Sequence, residues 1–385
     1  MNEHQVSAVE NTHTRQNITL PASGTGAIHN LSILRFGSPG ARPKAYLQAG
    51  LHADEFPGML ALHYLSTMLT EAAARGRIVG EIVILPQANP IGLAQQDSGF
   101  LLGRHDVESG DNFNRHYLDF TLAMGERLSD KLTPDSQLNR AIIRAEMATL
   151  LAEQQPTTAL AVLRHTLLSL AYDADFVFDL HADNQALPHM YVGTPLWPDA
   201  QDIAAELGVR AVLLAEKSGG NPFDEACSAP WWELAQRYPD YPIPLACLAT
   251  TLELGCNDDV DVRLAQDQAA ALYRILERRG VIEGPTDSDL PRLRCEATPL
   301  TAMSQVKAQH AGLIVYRLRT GDTVRAGDVV ATIIVPAGEE VEVIAETDGI
   351  LFARHSQPYA WQGKVIGKIA GSVPLATRQG NLLTD

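Results

Sequence analysis

Five short apolar runs, at residues 45–47, 82–85, 176–178, 211–214 and 248–254, alternate with stretches whose apolar residues recur at helical spacing, such as 55–75, 138–154 and 259–279. Strands that alternate with helices build a mostly parallel α/β sheet with helices packed on it. Open sheets of this kind bind ligands just beyond the carboxyl ends of their strands. Chemistry is therefore expected in the polar residues that follow each run. His52 follows the first run after a Gly50 turn, His181 closes the run that begins at Phe176, and Glu253 ends the run that begins at Leu248.

At 385 residues the chain exceeds one ordinary domain, and its composition changes near Pro285. A turn-rich stretch at 284–288 leads into a segment with few helical patterns and many β-branched residues. The expected division is a catalytic unit over 1–288, with a helical insertion at about 117–172 that could close over the site as a lid, and a small all-β unit over 289–385. Thirty Lys and Arg against 46 Asp and Glu give a net charge of −16, a field that repels phosphate backbones and anionic lipid, so neither nucleic acid nor membrane is an expected partner. Four cysteines, Cys227, Cys247, Cys256 and Cys295, match neither a zinc knuckle nor a dense disulfide framework. The polar stretch 1–16 lacks the apolar core of a signal peptide, and no later stretch reaches membrane-span length, so a cytoplasmic protein is expected.

His52 and Glu55 place an imidazole and a carboxylate three residues apart at a helix start, where both can reach one ion. Composition alone supplies one or two such pairs, and the chain has three, the others being His105/Glu108 and His116/Asp119. Only the first follows a buried strand; the other two read as solvated loop pairs. A catalytic zinc site needs a third ligand and an open position for water. His181 is the candidate, with Asp179 beside it to orient the ring, ahead of His189, read as loop, and His165, which fits a helical apolar pattern. Glu253, flanked by Leu252 and Leu254, is an expensive carboxylate unless it faces a polar cleft, which suits a general base. Arg104 and Arg115 can fork a carboxylate and polarise a carbonyl.

His52-x-x-Glu55, Asn114-Arg115, Asp179-Leu180-His181 and Glu253-Leu254-Gly255, in that order, resemble the succinylglutamate desuccinylase/aspartoacylase family, over roughly residues 44–279. The resemblance implies an α/β fold, a three-layer α/β/α mixed sheet of zinc carboxypeptidase type. It also implies one Zn2+ on His52, Glu55 and His181, a water activated by Glu253, and substrate gripped by Arg104, Asn114 and Arg115. A homodimer is a family expectation. The expected activity is hydrolysis of an N-acyl amino acid or related small acylated amine; the alternatives are a metallocarboxypeptidase acting on peptides and a non-catalytic metal-dependent binding protein. Tyr191, His189, Trp231 and Trp232 are candidates to line the pocket. The C-terminal unit resembles the barrel-sandwich fold of biotinyl and lipoyl carriers, through Gly321-Asp322-x-Val324-x-x-Gly327-Asp328 and Asp348-Gly349. Its hairpin at 335–340 lacks the carrier lysine, which leaves capping of the catalytic unit as its expected role.

Overall fold

In a computed structural model, residues 13–22, 26–285 and 289–383 are described; residues 1–12 of the polar N-terminal stretch and 286–288 of the turn-rich linker lie outside them. Nine strands form one mixed sheet: β1 (Thr14–Thr19), β2 (Asn30–Phe36), β3 (Lys44–Ala49), β4 (Glu81–Leu85), β5 (Phe176–Asp183), β6 (His189–Gly193), β7 (Ala211–Ala215), β8 (Leu248–Cys256) and β9 (Ala297–Pro299). Their spatial order is β1-β2-β4-β3-β5-β8-β6-β7-β9. The central strands β4, β3, β5 and β8 run parallel, whereas β1 and β2 join antiparallel at one edge and β6 runs antiparallel to β8. His189 thus opens a strand, although its position after Pro188 reads as loop. The structure confirms an α/β chain whose large sheet is mixed.

Alternation along the central strands sends apolar side chains to both faces. Tyr46, Val177 and Ala249 point into one core, and Leu47, Phe178 and Leu252 into the other. Helices α1 (Pro57–Ala74), α5 (Trp197–Glu206) and α7 (Val262–Arg278) cover the second face. On the first lie α2 (Phe120–Met124), α3 (Ser136–Glu153), α4 (Ala159–Ala171) and α6 (Phe223–Arg237). The helices begin where the sequence supplies caps: Asp135, Thr158 and Asp261 accept backbone N–H bonds from the first turns of α3, α4 and α7. Among the described residues, no helix is long and apolar enough to cross a membrane.

Segment 117–172 corrects the expectation of a lid. Its helices bury Phe120, Ile143, Met147, Leu163 and Leu167 in the core against the sheet, and none of its residues lines the cavity described below. Periodicity identifies an apolar stripe, but a sheet face and an active-site mouth would demand the same stripe.

Residues 303–370 build two antiparallel sheets around a core of Val324, Ile333, Leu351, Ile366 and Ile369. One contains β10 (Met303–Lys307), β12 (Thr323–Val324), β15 (Gly349–Arg354) and β17 (Val365–Ala370); the other contains β11 (Gly312–Tyr316), β13 (Val329–Ile334), β14 (Glu340–Ile344) and β16 (Tyr359–Ala360). The first sheet continues into the catalytic unit, because Gln185 and Ala186, just beyond β5, pair antiparallel with Arg354 and Ala353. Leu187 N donates to Phe352 O, Arg354 Nε to Gln185 Oε1 and Ser356 Oγ to Asn184 Oδ1. Lys368 Nζ pairs with the Asp183 carboxylate. Every residue from 183 to 187 is tied to this unit.

Phe178 is fully buried between the central strands and the α1 layer. Phe178→Ala is expected to lower the unfolding free energy by about 3–5 kcal/mol, read from chemical denaturation.

Candidate metal centre

At the carboxyl end of β3 the chain must turn sharply, and Gly50 does so at φ +68, where a Cβ would meet Met59. His52 follows in the turn. Pro57 then opens α1, whose second residue, Gly58, lies so close to the sheet that a Cβ would fall 2.8 Å from that of Leu180. This close approach carries Glu55 to the end of β5, where Ala182 N donates to Glu55 Oε2 at 3.0 Å.

Glu55 is buried between two imidazoles: His52 Nδ1 lies 2.9 Å from Oε1 and His181 Nδ1 2.7 Å from Oε2. The ligand atoms of His52, Glu55 and His181 all lie within 4.8 Å of one another. Burial opposes ionisation of Glu55, yet the two histidines override it and hold the carboxyl well below its usual range. His52 is lowered to about 4, first by burial and then by the neighbouring Arg104 guanidinium, and so is a neutral imidazole at ordinary pH. His181 is buried too, which alone would lower it, but Asp179 and Glu55 raise it well above the ordinary value.

The rear nitrogens fit a metal-binding tautomer. His52 Nε2 donates to Asn112 Oδ1 at 2.9 Å, and Asn114 N donates to the same oxygen, which fixes the amide. His181 Nε2 donates to Asp179 Oδ2 at 2.9 Å, and Gln48 Nε2 donates to Asp179 Oδ1. With both Nε2 atoms held from behind, both Nδ1 atoms point at Glu55; once His181 gives up its Nδ1 proton, these two nitrogens and the carboxylate form a donor set that fits a divalent ion.

Glu253 sits one strand away, in register with His181 across the parallel β5–β8 pair. Its Oε2 is buried without a hydrogen-bond partner. Burial, with the Glu55 charge adding, pushes its carboxyl up to about 8. Arg104 arrives from a loop whose Gly103 leaves no room for a Cβ, which would come 2.1 Å from Asp54 N. Its Nη1 lies 3.3 Å from His52 Nδ1 and 3.6 Å from Glu55 Oε1. Phe223 N at the start of α6 donates to Asn114 Oδ1, which holds Asn114 beside His181, and Arg115 Nη1 donates to Asn114 O.

All seven expected site residues, His52, Glu55, Arg104, Asn114, Arg115, His181 and Glu253, line one cavity of about 580 Å³. The C-terminal unit contributes to its wall through Gln305, Ala353, His355, Trp361 and Lys368. Tyr191 lines it as expected; His189, Trp231 and Trp232 do not, being core residues buried on all sides. Sequence reasoning missed Asn112 and Asp183. Asp183 carries the same strand-end signal as His181, two residues earlier on β5; Asn112 carries none until the loop is folded.

A mixed sheet that brings a buried His-Glu-His group able to hold a metal ion, and Glu253 beside it, to the ends of its central strands is an arrangement suited to a hydrolase. Residues 41–278, more than half of the chain, match the succinylglutamate desuccinylase/aspartoacylase catalytic domain, and the chain belongs to that family. A solved structure from Shewanella amazonensis assigned to this family is 26% identical, with a TM-score of 0.79, over 93% of this chain and 98% of that one. A second, from Shewanella frigidimarina, is 25% identical with a TM-score of 0.80, over 95% and 99%. The ectoine utilization protein EutE (DoeB) of Ruegeria pomeroyi, 17% identical with a TM-score of 0.64 over 96% and 98%, shares the fold. No protein of curated function matches the sequence.

His181→Ala is expected to abolish stoichiometric metal binding, while Asp179→Asn weakens it by about 10- to 100-fold, both read by chelator competition. The Asp183–Lys368 pair gives a second test. Burial disfavours the Asp183 charge, but the Lys368 ammonium overrides this and holds the carboxyl well below its usual range. A depressed carboxyl contributes stability above its unfolded value and loses it as pH falls through its folded value. Lys368→Met is therefore expected to cost about 3–5 kcal/mol near pH 7, with the difference narrowing below about pH 4 in denaturation curves.

Proposed function

We propose that the chain is a zinc-dependent amidohydrolase that cleaves the amide of an N-acyl amino acid or related small acylated amine, with one zinc per chain. The observation that carries this reading is Glu253: a carboxylate whose Oε2 is buried without a hydrogen-bond partner, in register with His181, lining a cavity that also holds His52 and Glu55. A strand does not end in such a group for stability. Two imidazoles and a carboxylate favour zinc among available ions, and a zinc ion there would acidify a water and polarise the scissile carbonyl.

The chain's own residues supply the remainder. Glu253 Oε2 takes the proton of the attacking water and returns it to the leaving nitrogen, a task suited to a carboxyl raised towards the working pH. Arg104, beside Glu55, faces the negative charge that develops on the carbonyl oxygen. Asn114 and Arg115 bind the substrate carboxylate, with Arg115 the charge-assisted partner. Asp179 and Asn112 keep the two imidazoles oriented.

Substrate size follows from the wall that the C-terminal unit builds. A peptide needs an open groove beyond the scissile bond, whereas here Trp361, His355 and Lys368 of the C-terminal unit line the same cavity as the His-Glu-His group. About 580 Å³ suits a small molecule and disfavours the carboxypeptidase alternative.

Glu253→Gln is expected to retain stoichiometric zinc while kcat for N-acyl amino acids falls by about 10²- to 10⁴-fold, measured as primary-amine release. Unchanged turnover in that variant would remove Glu253 from the mechanism.

A further inference from the structure

Across the central sheet, one row of side chains changes character. Asp179 on β5 is in register with Thr251 on β8, Thr251 with Tyr191 on β6, and Tyr191 with Leu213 on β7, so all four point from the same face. At about 4.8 Å per strand, Leu213 lies about 14 Å from the Asp179 end of the row. The row starts in the carboxylate that orients His181 and ends in an aliphatic side chain at the cavity wall.

Leu213 is not isolated. It belongs to an apolar cluster that joins the two parts of the chain, and Leu213, Ala215, Leu300, Ala353 and Leu383 present that cluster to the cavity. Leu383 is held there, because the N–H groups of Leu382 and Leu383 both donate to Ser218 O, at 2.7 and 3.0 Å. The same loop carries Gly220, which packs so closely on Arg115 that a Cβ would come 2.6 Å from its Cδ. The stem of the arginine assigned to the substrate carboxylate and the residue that ends the apolar wall thus rest on Gly220 and Ser218, two residues apart along one loop. Arg115 and this apolar cluster line the same cavity.

We propose that Leu213, Ala215, Leu300, Ala353 and Leu383 form a subsite for an apolar amino-acid side chain, so that the substrate is the N-acyl derivative of an aliphatic or aromatic amino acid. This rests on the amidohydrolase reading for the placement of the carboxylate at Arg115. Two further cavity cations are engaged within the protein: Lys368 pairs with Asp183, and Arg354 donates to Gln185 Oε1 and Leu318 O over the Tyr316 ring. A second substrate carboxylate would meet aliphatic carbon at the far end and lose its hydration unpaired.

Calorimetric titration of the zinc-loaded Glu253→Gln protein, which binds without turnover, separates the subsite from the chemistry. The ligands are N-acetyl derivatives of glycine, leucine, phenylalanine, aspartate and ornithine. The leucine and phenylalanine derivatives are expected to bind at least about tenfold more tightly than the glycine derivative. Introducing Leu383→Glu, and separately Leu383→Ala as the milder change, should reduce that ratio, the former by about tenfold. Tightest binding of the aspartate derivative, a ratio unmoved by either Leu383 variant, or no binding of any ligand would overturn the subsite. Preference for the ornithine derivative would also overturn it and transfer recognition to the carboxylates of Asp224 and Glu225, which line the same cavity. An apolar preference in binding together with a wild-type protein that hydrolyses none of the five would sink the amidohydrolase reading and leave the subsite standing; hydrolysis without that preference would do the reverse.

Discussion

The buried carboxylate of Glu55, gripped between the Nδ1 atoms of His52 and His181, is the interaction on which the rest of the site depends. Two segments far apart in sequence must converge to make it: the turn that joins β3 to α1 and the end of β5. An isolated carboxylate at this depth would cost more than the fold could spare, so the imidazoles and the Ala182 amide are required as well as useful. Their rear nitrogens are fixed in turn by Asn112 and Asp179, which aims both rings before any ion arrives. Preorganisation of this kind lets a metal bind without the protein rearranging around it.

The C-terminal unit extends that arrangement. The segment that follows His181 does not return to solvent; each residue from 183 to 187 is paired with the small sheets, through a short ladder, side-chain bonds and the buried Asp183–Lys368 ion pair. The strand that delivers a candidate metal ligand is therefore anchored at its far end by the unit that walls the cavity. Closing the cavity and positioning His181 are two consequences of one interface, and loosening that interface should disturb both.

Much of this was legible in the sequence because strand ends advertise themselves. A histidine closing an apolar run, or a glutamate between leucines, breaks the local logic of burial, and His181 and Glu253 stand out for that reason. The alternation of runs with helical stretches sufficed for an α/β sheet, and the β-branched composition after Pro285 for sheets at the C-terminal end. Other features depended on contacts that no local pattern encodes. Lys368 looks like any surface lysine until β17 brings it to Asp183, 185 residues earlier in the chain. Leu383 reads as the end of a tail until Ser218 holds it at the cavity. The helices of 117–172 display an apolar stripe whose partner, a sheet face, is chosen by topology. His189 reads as loop because a preceding proline hides a strand that runs against its neighbour.

The central claim is that His52, Glu55 and His181 bind one catalytic ion at their converging ligand atoms. Anomalous diffraction from zinc-loaded crystals, collected on both sides of the zinc absorption edge, tests it most directly. The account predicts one zinc peak per chain, within about 2.0–2.2 Å of His52 Nδ1, His181 Nδ1 and a Glu55 oxygen, with Glu253 facing the open coordination position. A zinc-loaded crystal with no peak there, or with the ion held by other residues while these three keep their mutual hydrogen bonds, would contradict it.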